Sequence, residues 1–139
     1  SGHTAAEFYT NRTVVKLMTM IMDPQPGESV YDPTCGSGGL LLNCALHLRD
    51  EGKEYRTLKL YGQEINLITS AIARMNMFMH GIEEFSIVRG DTLAQPAFLE
   101  NDSLKTFNVD SIILPFSSLF MFRHSIYNVN RVKEIFLPK

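Results

Sequence analysis

Apolar residues along the chain recur alternately at helical spacing and in short continuous runs, which predicts helices alternating with buried strands. In chain order the prediction is helix 11–22, strand 29–31, helix 38–51, strand 58–63, helix 67–80, strand 85–89 and strand 107–114. Such alternation is typical of a mostly parallel sheet whose crossover helices flank it. The sequence therefore predicts an α/β fold.

The same spacing predicts which side of each helix is buried. The apolar positions that share one face are Val14, Leu17, Met18 and Ile21 in the first helix, Leu41, Leu42, Ala45 and Leu48 in the second, and Ile68, Ala71, Ile72, Met75 and Met79 in the third. We expect all three faces to point into the core.

Three of the predicted strands end in an acidic residue or are closely followed by one: Asp32, Glu64 and Asp91. Because ligands of parallel sheets bind outside the carboxyl ends of the strands, we expect three carboxylates at one rim. Two structural alternatives stay open. Glu64 can be an ordinary solvated loop carboxylate, and Asp91 can cap a short turn.

The segment between the first strand and the second helix reads Asp-Pro-Thr-Cys-Gly-Ser-Gly-Gly over residues 32–39. A glycine-rich turn before a helix directs several backbone N–H groups at one point. No Gly-Lys-Ser/Thr follows, which excludes a P-loop, and the glycine spacing differs from the dinucleotide fingerprint. Asp32 indicates a ligand with an amino or hydroxyl group. Taken alone, however, the segment Gly-Ser-Gly-Gly at 36–39 is equally well explained as a purely structural turn.

Composition narrows the function classes without selecting one. The chain has 139 residues and a formal net charge of −2, so it carries no strong electrostatic signature for DNA or an anionic membrane. Cys35 and Cys44 have no metal-ligand spacing, and two reduced thiols indicate a cytoplasmic protein. No apolar run is long enough to span a bilayer. We expect one domain over 1–139, with 110–139 as an atypical C-terminal segment.

Six short motifs occur in order: Glu-Phe-Tyr-Thr at 7–10, the glycine-rich turn at 32–39, Tyr-Gly-Gln-Glu-Ile-Asn at 61–66, Ala-Arg-Met-Asn at 73–76, His-Gly-Ile at 80–82 and Gly-Asp-Thr-Leu at 90–93. Together they resemble the modification (M) subunit of type I restriction-modification systems. These subunits are S-adenosylmethionine-dependent DNA adenine-N6 methyltransferases. The resemblance extends over residues 5–109 and implies a Rossmann-like methyltransferase fold, truncated here.

The resemblance also implies a site for S-adenosylmethionine. The residues implied to bind this cofactor are Phe8, Tyr9, Thr10, Asp32, Thr34, Gly36, Gly38, Glu64, Ile65, Asp91, Thr92 and Leu93. In these roles, the turn would hold the methionine part, and residues 8–10 would close the pocket over it. Glu64 would accept from the ribose hydroxyls, with Ile65 against the adenine. Asp91 would read the adenine amino group, with the next two residues beside it.

One departure from the family concerns catalysis. The family motif Asn-Pro-Pro-Phe/Tyr should follow the fourth strand, where this chain has Ile113, Leu114, Pro115 and Phe116. Ile113 has no side-chain acceptor to orient the target amine. In a second alignment, 110–115 matches a later strand of the family and the motif is missing. Both alignments predict a catalytically impaired chain: a fragment, a decayed copy or a deletion product.

The resemblance to the family also implies binding partners, and two alternative functions stay open. DNA would be bound through a complex with the specificity and restriction subunits, and no membrane is involved. An exposed edge of a truncated sheet favours self-association. The alternatives are a non-catalytic binding or assembly module with a degenerate methyltransferase fold, and a methyltransferase for RNA, protein or a small molecule.

Overall fold

Helices and strands alternate through the part of the chain that the computed structural model describes, which is residues 11–110. In chain order the elements are α1 (Arg12–Met22), β1 (Ser29–Asp32), α2 (Gly39–Asp50), β2 (Lys59–Glu64), α3 (Leu67–Met79), β3 (Phe85–Arg89), β4 (Leu99–Glu100), β5 (Ser103–Leu104) and β6 (Val109–Asp110). Strands β3, β2, β1 and β6 form one parallel sheet in that order. The predicted α/β fold is confirmed.

The register of the strands brings their carboxyl ends to one edge of the sheet. Asp32 at the end of β1 pairs with Gly62 of β2, and Glu64 at the end of β2 pairs with Arg89 of β3. Asp91 follows two residues after β3. The rim that the sequence predicted therefore exists in the backbone.

Helix α2 forms the centre of the core. It packs against α1 on one side and against the sheet on the other. Its residues Leu41, Ala45 and Leu48 are fully buried, together with Val30 of β1 and Leu60 of β2. The predicted inward face of α2 is confirmed, since Leu41, Leu42, Ala45 and Leu48 are all buried.

The prediction for α1 is wrong in part. Met18 is buried and Val14 is partly buried, but Leu17 and Ile21 are 48% and 37% exposed. The buried face consists of Val15, Met18, Thr19 and Met22. Apolar residues surround most of this helix, so their spacing does not select one side. Thr19 tolerates burial because its hydroxyl donates to the Val15 carbonyl at 2.9 Å.

The prediction for α3 is wrong in full. The predicted inward residues are exposed, namely Ile68, Ala71, Ile72, Met75 and Met79. The helix instead buries the side that consists of Thr69, Ser70, Ala73 and Met77, of which only Met77 is large and apolar. Small side chains let α3 approach the rest of the protein closely. The Ser70 hydroxyl donates to the Leu67 carbonyl, which satisfies it inside the protein.

A hairpin that the sequence did not predict, β4–β5, lies between β3 and β6. Just before it, Phe98 makes edge-to-face contacts with the rings of Tyr31 and Tyr61, with centroid distances of 5.5 and 5.2 Å. Phe107 stacks on Tyr31 at 4.6 Å. This aromatic cluster (Tyr31, Tyr61, Phe98 and Phe107) ties the connection to the sheet. Of the predicted strand 107–114, the structure gives β6, and 111–114 lie outside the described residues.

Candidate functional site

The glycine-rich turn joins the end of β1 to the start of α2 and is fixed to β2. Cys35 N–H donates to the Gln63 carbonyl at 3.0 Å, and Gly38 N–H donates to the Cys35 carbonyl at 2.8 Å. Gly36 and Gly38 have φ angles of 54° and 80°, in the left-handed region that favours glycine. The backbone of the turn therefore favours glycine at positions 36 and 38.

Helix α3 supports the turn from the other side. The Asn76 side-chain amide donates to the Ser37 carbonyl at 2.9 Å. A Cβ atom on Gly38 would lie only 2.8 Å from Met77 Cε and 3.4 Å from Ala73 Cβ. The motif at 73–76 thus contributes to the site as a support of the turn. Sequence reasoning noticed this motif but missed its contact, which joins residues 39 positions apart.

Asp32 is a buried carboxylate at the start of the turn, with 6% of its surface exposed. Its Oδ1 accepts from Thr34 N–H at 3.0 Å, and no other hydrogen bond to this carboxylate comes from residues 11–110. Burial raises the pKa of Asp32 from 3.8 to about 7, the Thr34 bond opposes this increase, and nearby Glu64 adds to it. A cationic amino group beside Asp32 would offset the burial of its charge. The residue therefore fits the amino group of a methionine-like ligand.

Glu64 reaches across from the end of β2 to the same turn. Its Oε2 accepts from Gly36 N–H at 3.1 Å, and its Oε1 accepts from Asn66 N–H at 2.8 Å. The carboxylate is thus held in one position by two backbone donors. This favours a site residue over the alternative of a freely solvated loop carboxylate.

Asp91 caps a short turn after β3, which is the structural alternative that the sequence left open. Its Oδ1 accepts from Leu93 N–H at 2.9 Å and from Ala94 N–H at 3.3 Å. The residue is exposed at the rim, so capping does not prevent ligand contact through Oδ2. Thr92 is buried, and its hydroxyl donates to the Pro33 carbonyl. Thr92 therefore joins the Asp91 loop to the glycine-rich turn.

Two exposed apolar side chains flank the rim. Ile65 and Leu93 are 61% and 54% exposed and follow Glu64 and Asp91 directly. Thr34, also predicted for the cofactor, is exposed within the turn. The remaining predicted residues lie outside the described part of the chain: Phe8, Tyr9, Thr10, Ile113, Leu114, Pro115 and Phe116.

Within residues 11–110, no group of His, Cys, Asp and Glu side chains is placed to hold a metal ion. Over the same residues, no helix is long and apolar enough to cross a membrane. Both cysteines are buried free thiols.

Gly62→Ala tests the close contact of the turn with β2. A Cβ at position 62 would lie 2.8 Å from Cys35 Sγ and 3.0 Å from Leu41 Cδ1, both of which are buried. We expect the free energy of unfolding to fall by about 1–3 kcal/mol, measured by denaturant unfolding. The control is Gly39→Ala, whose Cβ would meet nothing within 4 Å. Equal stability of the two variants would contradict the packing described here.

A parallel sheet in the order β3-β2-β1-β6, with a glycine-rich turn after β1 and carboxylates at its rim, defines the Rossmann-like fold of the S-adenosylmethionine-dependent methyltransferases. Within this class the match is closer. All of residues 1–139 match the N-6 DNA methylase family, and the chain belongs to that family.

Individual relatives agree with this assignment. The type I restriction enzyme EcoEI methylase subunit of Escherichia coli is 38% identical over 103 residues, which is 69% of this chain and 21% of that protein. The MpnII methylase subunit of Mycoplasma pneumoniae is 40% identical over 98 residues, which is 67% of this chain and 18% of that protein. The chain therefore spans about a fifth of the length of these relatives.

A solved structure extends the likeness to three dimensions. The type I restriction-modification methyltransferase subunit from Streptococcus thermophilus superposes with a TM-score of 0.61 at 35% identity. The match covers 74% of this chain and 23% of the other. The resemblance drawn from the six motifs is confirmed.

Proposed function

We propose that this chain is the S-adenosylmethionine-binding core of a type I DNA adenine-N6 methyltransferase subunit, and that it binds the cofactor without efficient methyl transfer. The observation that carries the proposal is the paired arrangement of Asp32 and Glu64 around the glycine-rich turn. One carboxylate is buried and has an acceptor oxygen that no group within residues 11–110 uses, and the other accepts from Gly36 N–H.

In this proposal, different residues of the described range bind different parts of the cofactor. Asp32 and the turn would hold the ammonium end of the methionine part. Glu64 would accept from the ribose hydroxyls, as acidic residues at this strand end commonly do. Asp91 would accept from the adenine amino group, with the exposed side chains of Ile65 and Leu93 beside the ring.

Catalysis needs groups beyond this core. When bound, S-adenosylmethionine supplies an activated methyl group. The adenine amine is itself the nucleophile, so no covalent enzyme intermediate is required. The protein's task is to orient that amine through side-chain and backbone acceptors. In one alignment Ile113 takes the place of the orienting Asn, and in the other the catalytic motif is missing; either departure favours a non-catalytic binding or assembly role as the second candidate.

The partners follow from the same proposal. DNA would be met in a complex with the specificity and restriction subunits, since a net charge of −2 leaves most phosphate contacts to other subunits or segments. Self-association through a sheet edge is a further proposal. Light scattering of the purified chain tests it, and a monomer at high concentration contradicts it.

Calorimetry combined with a methyl-transfer assay tests the main proposal. We expect the 139-residue chain to bind S-adenosylmethionine and S-adenosylhomocysteine with one site each. With radiolabelled cofactor, we expect no labelled adenine in DNA above background. Absence of binding to both ligands rejects the cofactor site, whereas clear methylation by the isolated chain rejects the impaired catalysis.

A further inference from the structure

Gln63 is a buried polar residue whose role the cofactor site does not explain. It lies at the end of β2, directly before Glu64, and only 1% of its surface is exposed. Its side-chain Nε2 donates to the Gln95 carbonyl at 2.9 Å, and its Oε1 accepts from Ala97 N–H at 3.0 Å. Both ends of the buried amide are therefore bonded to the backbone of one loop, the loop that follows Asp91.

The start of that loop, Gly90, packs closely against the Gln63 side chain. A Cβ atom at Gly90 would lie 2.9 Å from Gln63 Nε2, so only glycine fits there without a shift. Gly90 N–H also donates to the Glu64 carbonyl at 3.0 Å. Position 90 directly precedes Asp91. The placement of Asp91 thus depends on the packing of Gln63 as well as on the end of β2.

Gln63 also contacts the glycine-rich turn through its backbone, since its carbonyl accepts from Cys35 N–H at 3.0 Å. Gln63 therefore connects three parts of the rim. Its carbonyl bonds the glycine-rich turn, its side chain bonds the loop 90–97, and Glu64 is the next residue in the chain. Thr92 supplies a second link, but this link holds only the start of the loop to Pro33.

We propose that Gln63 is a positioning residue that sets Asp91 and Leu93 at a fixed distance from Glu64 and thereby determines the selectivity of the site for adenine. This inference rests on the proposed function. A hydrogen bond to an amino group weakens steeply with small changes of distance and angle. Loosening the loop would therefore weaken recognition of the adenine amino group more than binding of the ribose and methionine parts.

The test compares two ligands that differ only at the C6–N1 edge of the base. S-adenosylhomocysteine carries the amino group at C6, whereas S-inosylhomocysteine has a carbonyl oxygen there and a proton on N1. We expect the wild-type chain to prefer the adenine ligand about tenfold, and Gln63→Met to reduce this preference to about threefold or less. Titration calorimetry gives both dissociation constants. Methionine keeps the length of the side chain and removes both hydrogen bonds.

The matched control is Thr19→Val in α1, which also removes one buried hydrogen bond from a side chain to a backbone carbonyl, away from the rim. A loss of stability alone lowers the affinity for both ligands in proportion, so the control should keep the wild-type ratio. Gln63→Glu keeps an acceptor for Ala97 N–H but, when ionised, places a carboxylate oxygen against the Gln95 carbonyl, so its preference for adenine should also fall below that of the wild type. It also carries the test if Gln63→Met does not fold.

The outcomes separate the two proposals. If the wild-type chain binds neither ligand, the proposed function fails and the inference fails with it. If the wild type binds and prefers adenine while the folded Gln63 variants keep the full preference, the inference alone is overturned. Equal affinity of the wild type for both ligands also overturns it, because no selectivity would exist for Gln63 to set.

Discussion

Asp32→Asn is expected to stabilise the free protein at neutral and alkaline pH while weakening its affinity for S-adenosylmethionine by about 30-fold or more. The carboxylate is buried, and burial raises its pKa from 3.8 to about 7. Maintaining that charge in the folded state costs about 4 kcal/mol above pH 7. Asparagine keeps an acceptor for Thr34 N–H and removes the charge. The same charge would pair with the ligand's ammonium group, so affinity falls.

The contribution of Asp32 to the free energy of unfolding should decrease as the pH rises. The folded chain holds a proton on Asp32 up to about pH 7, whereas the unfolded chain releases it near pH 3.8. The contribution of this group to stability is therefore full below pH 3.8 and is lost as pH rises through about 7. Denaturant unfolding of wild type and variant between these limits measures the difference, which should grow with pH.

Asp50→Asn is the control for this experiment, because its side chain is 75% exposed and its charge is already solvated. Its stability should follow the wild type across the pH range. Binding of the cationic ligand to the wild type should release protons near pH 7, and binding to Asp32→Asn should release fewer. A pH-independent difference between wild type and Asp32→Asn would show that the carboxyl titrates normally.

The strand ends were predictable from the sequence because local signals define them. A short apolar run followed by Asp32 or Glu64 marks both the strand and its carboxyl end, and the glycines of the turn mark the connection. Parallel pairing then brings these residues together without any knowledge of side-chain contacts. The rim of the site is in this sense a property of the local pattern.

The buried faces of α1 and α3 were not predictable in the same way. In α3 most of the large apolar residues lie on the exposed side, and the protein buries Thr69, Ser70, Ala73 and Met77 instead. What selects this side is close packing, because Gly38 lies directly against Ala73 and Met77. The spacing of apolar residues indicates which side of a helix is hydrophobic, but it does not indicate how closely a neighbouring element packs against that helix. Small residues were the missed signal.

The supports of the site also could not be predicted, since they depend on contacts between distant parts of the chain. Asn76 bonds the turn, Thr92 bonds Pro33, and Gln63 bonds the loop after β3. Each of these polar residues belongs to a short motif, but the sequence does not indicate which distant residue it bonds. From the sequence, Asp32 indicates a ligand with an amino or hydroxyl group, and the burial of Asp32 adds that a cationic group beside it would offset the cost of its charge.

Glu64→Ala is expected to lower the affinity for S-adenosylhomocysteine about 100-fold, which corresponds to about 3 kcal/mol. The variant loses an acceptor for the ribose and leaves Gly36 N–H and Asn66 N–H without their carboxylate. Glu64→Gln should lie between wild type and alanine, because its one carbonyl oxygen can serve only one of the two donors well. Glu83→Ala, at an exposed position before β3, is the matched control and should bind normally.

A ligand without ribose hydroxyls separates the two roles of Glu64. If Glu64 contacts the ribose, the wild type should prefer S-adenosylhomocysteine over its 2′,3′-dideoxy analogue, and Glu64→Ala should lose most of that preference. If Glu64 only supports the turn, the variant should lose affinity for both ligands equally. This second result would reject the ribose contact, and the glycine-rich turn with Asp32 would then be the part of the site that still supports cofactor binding.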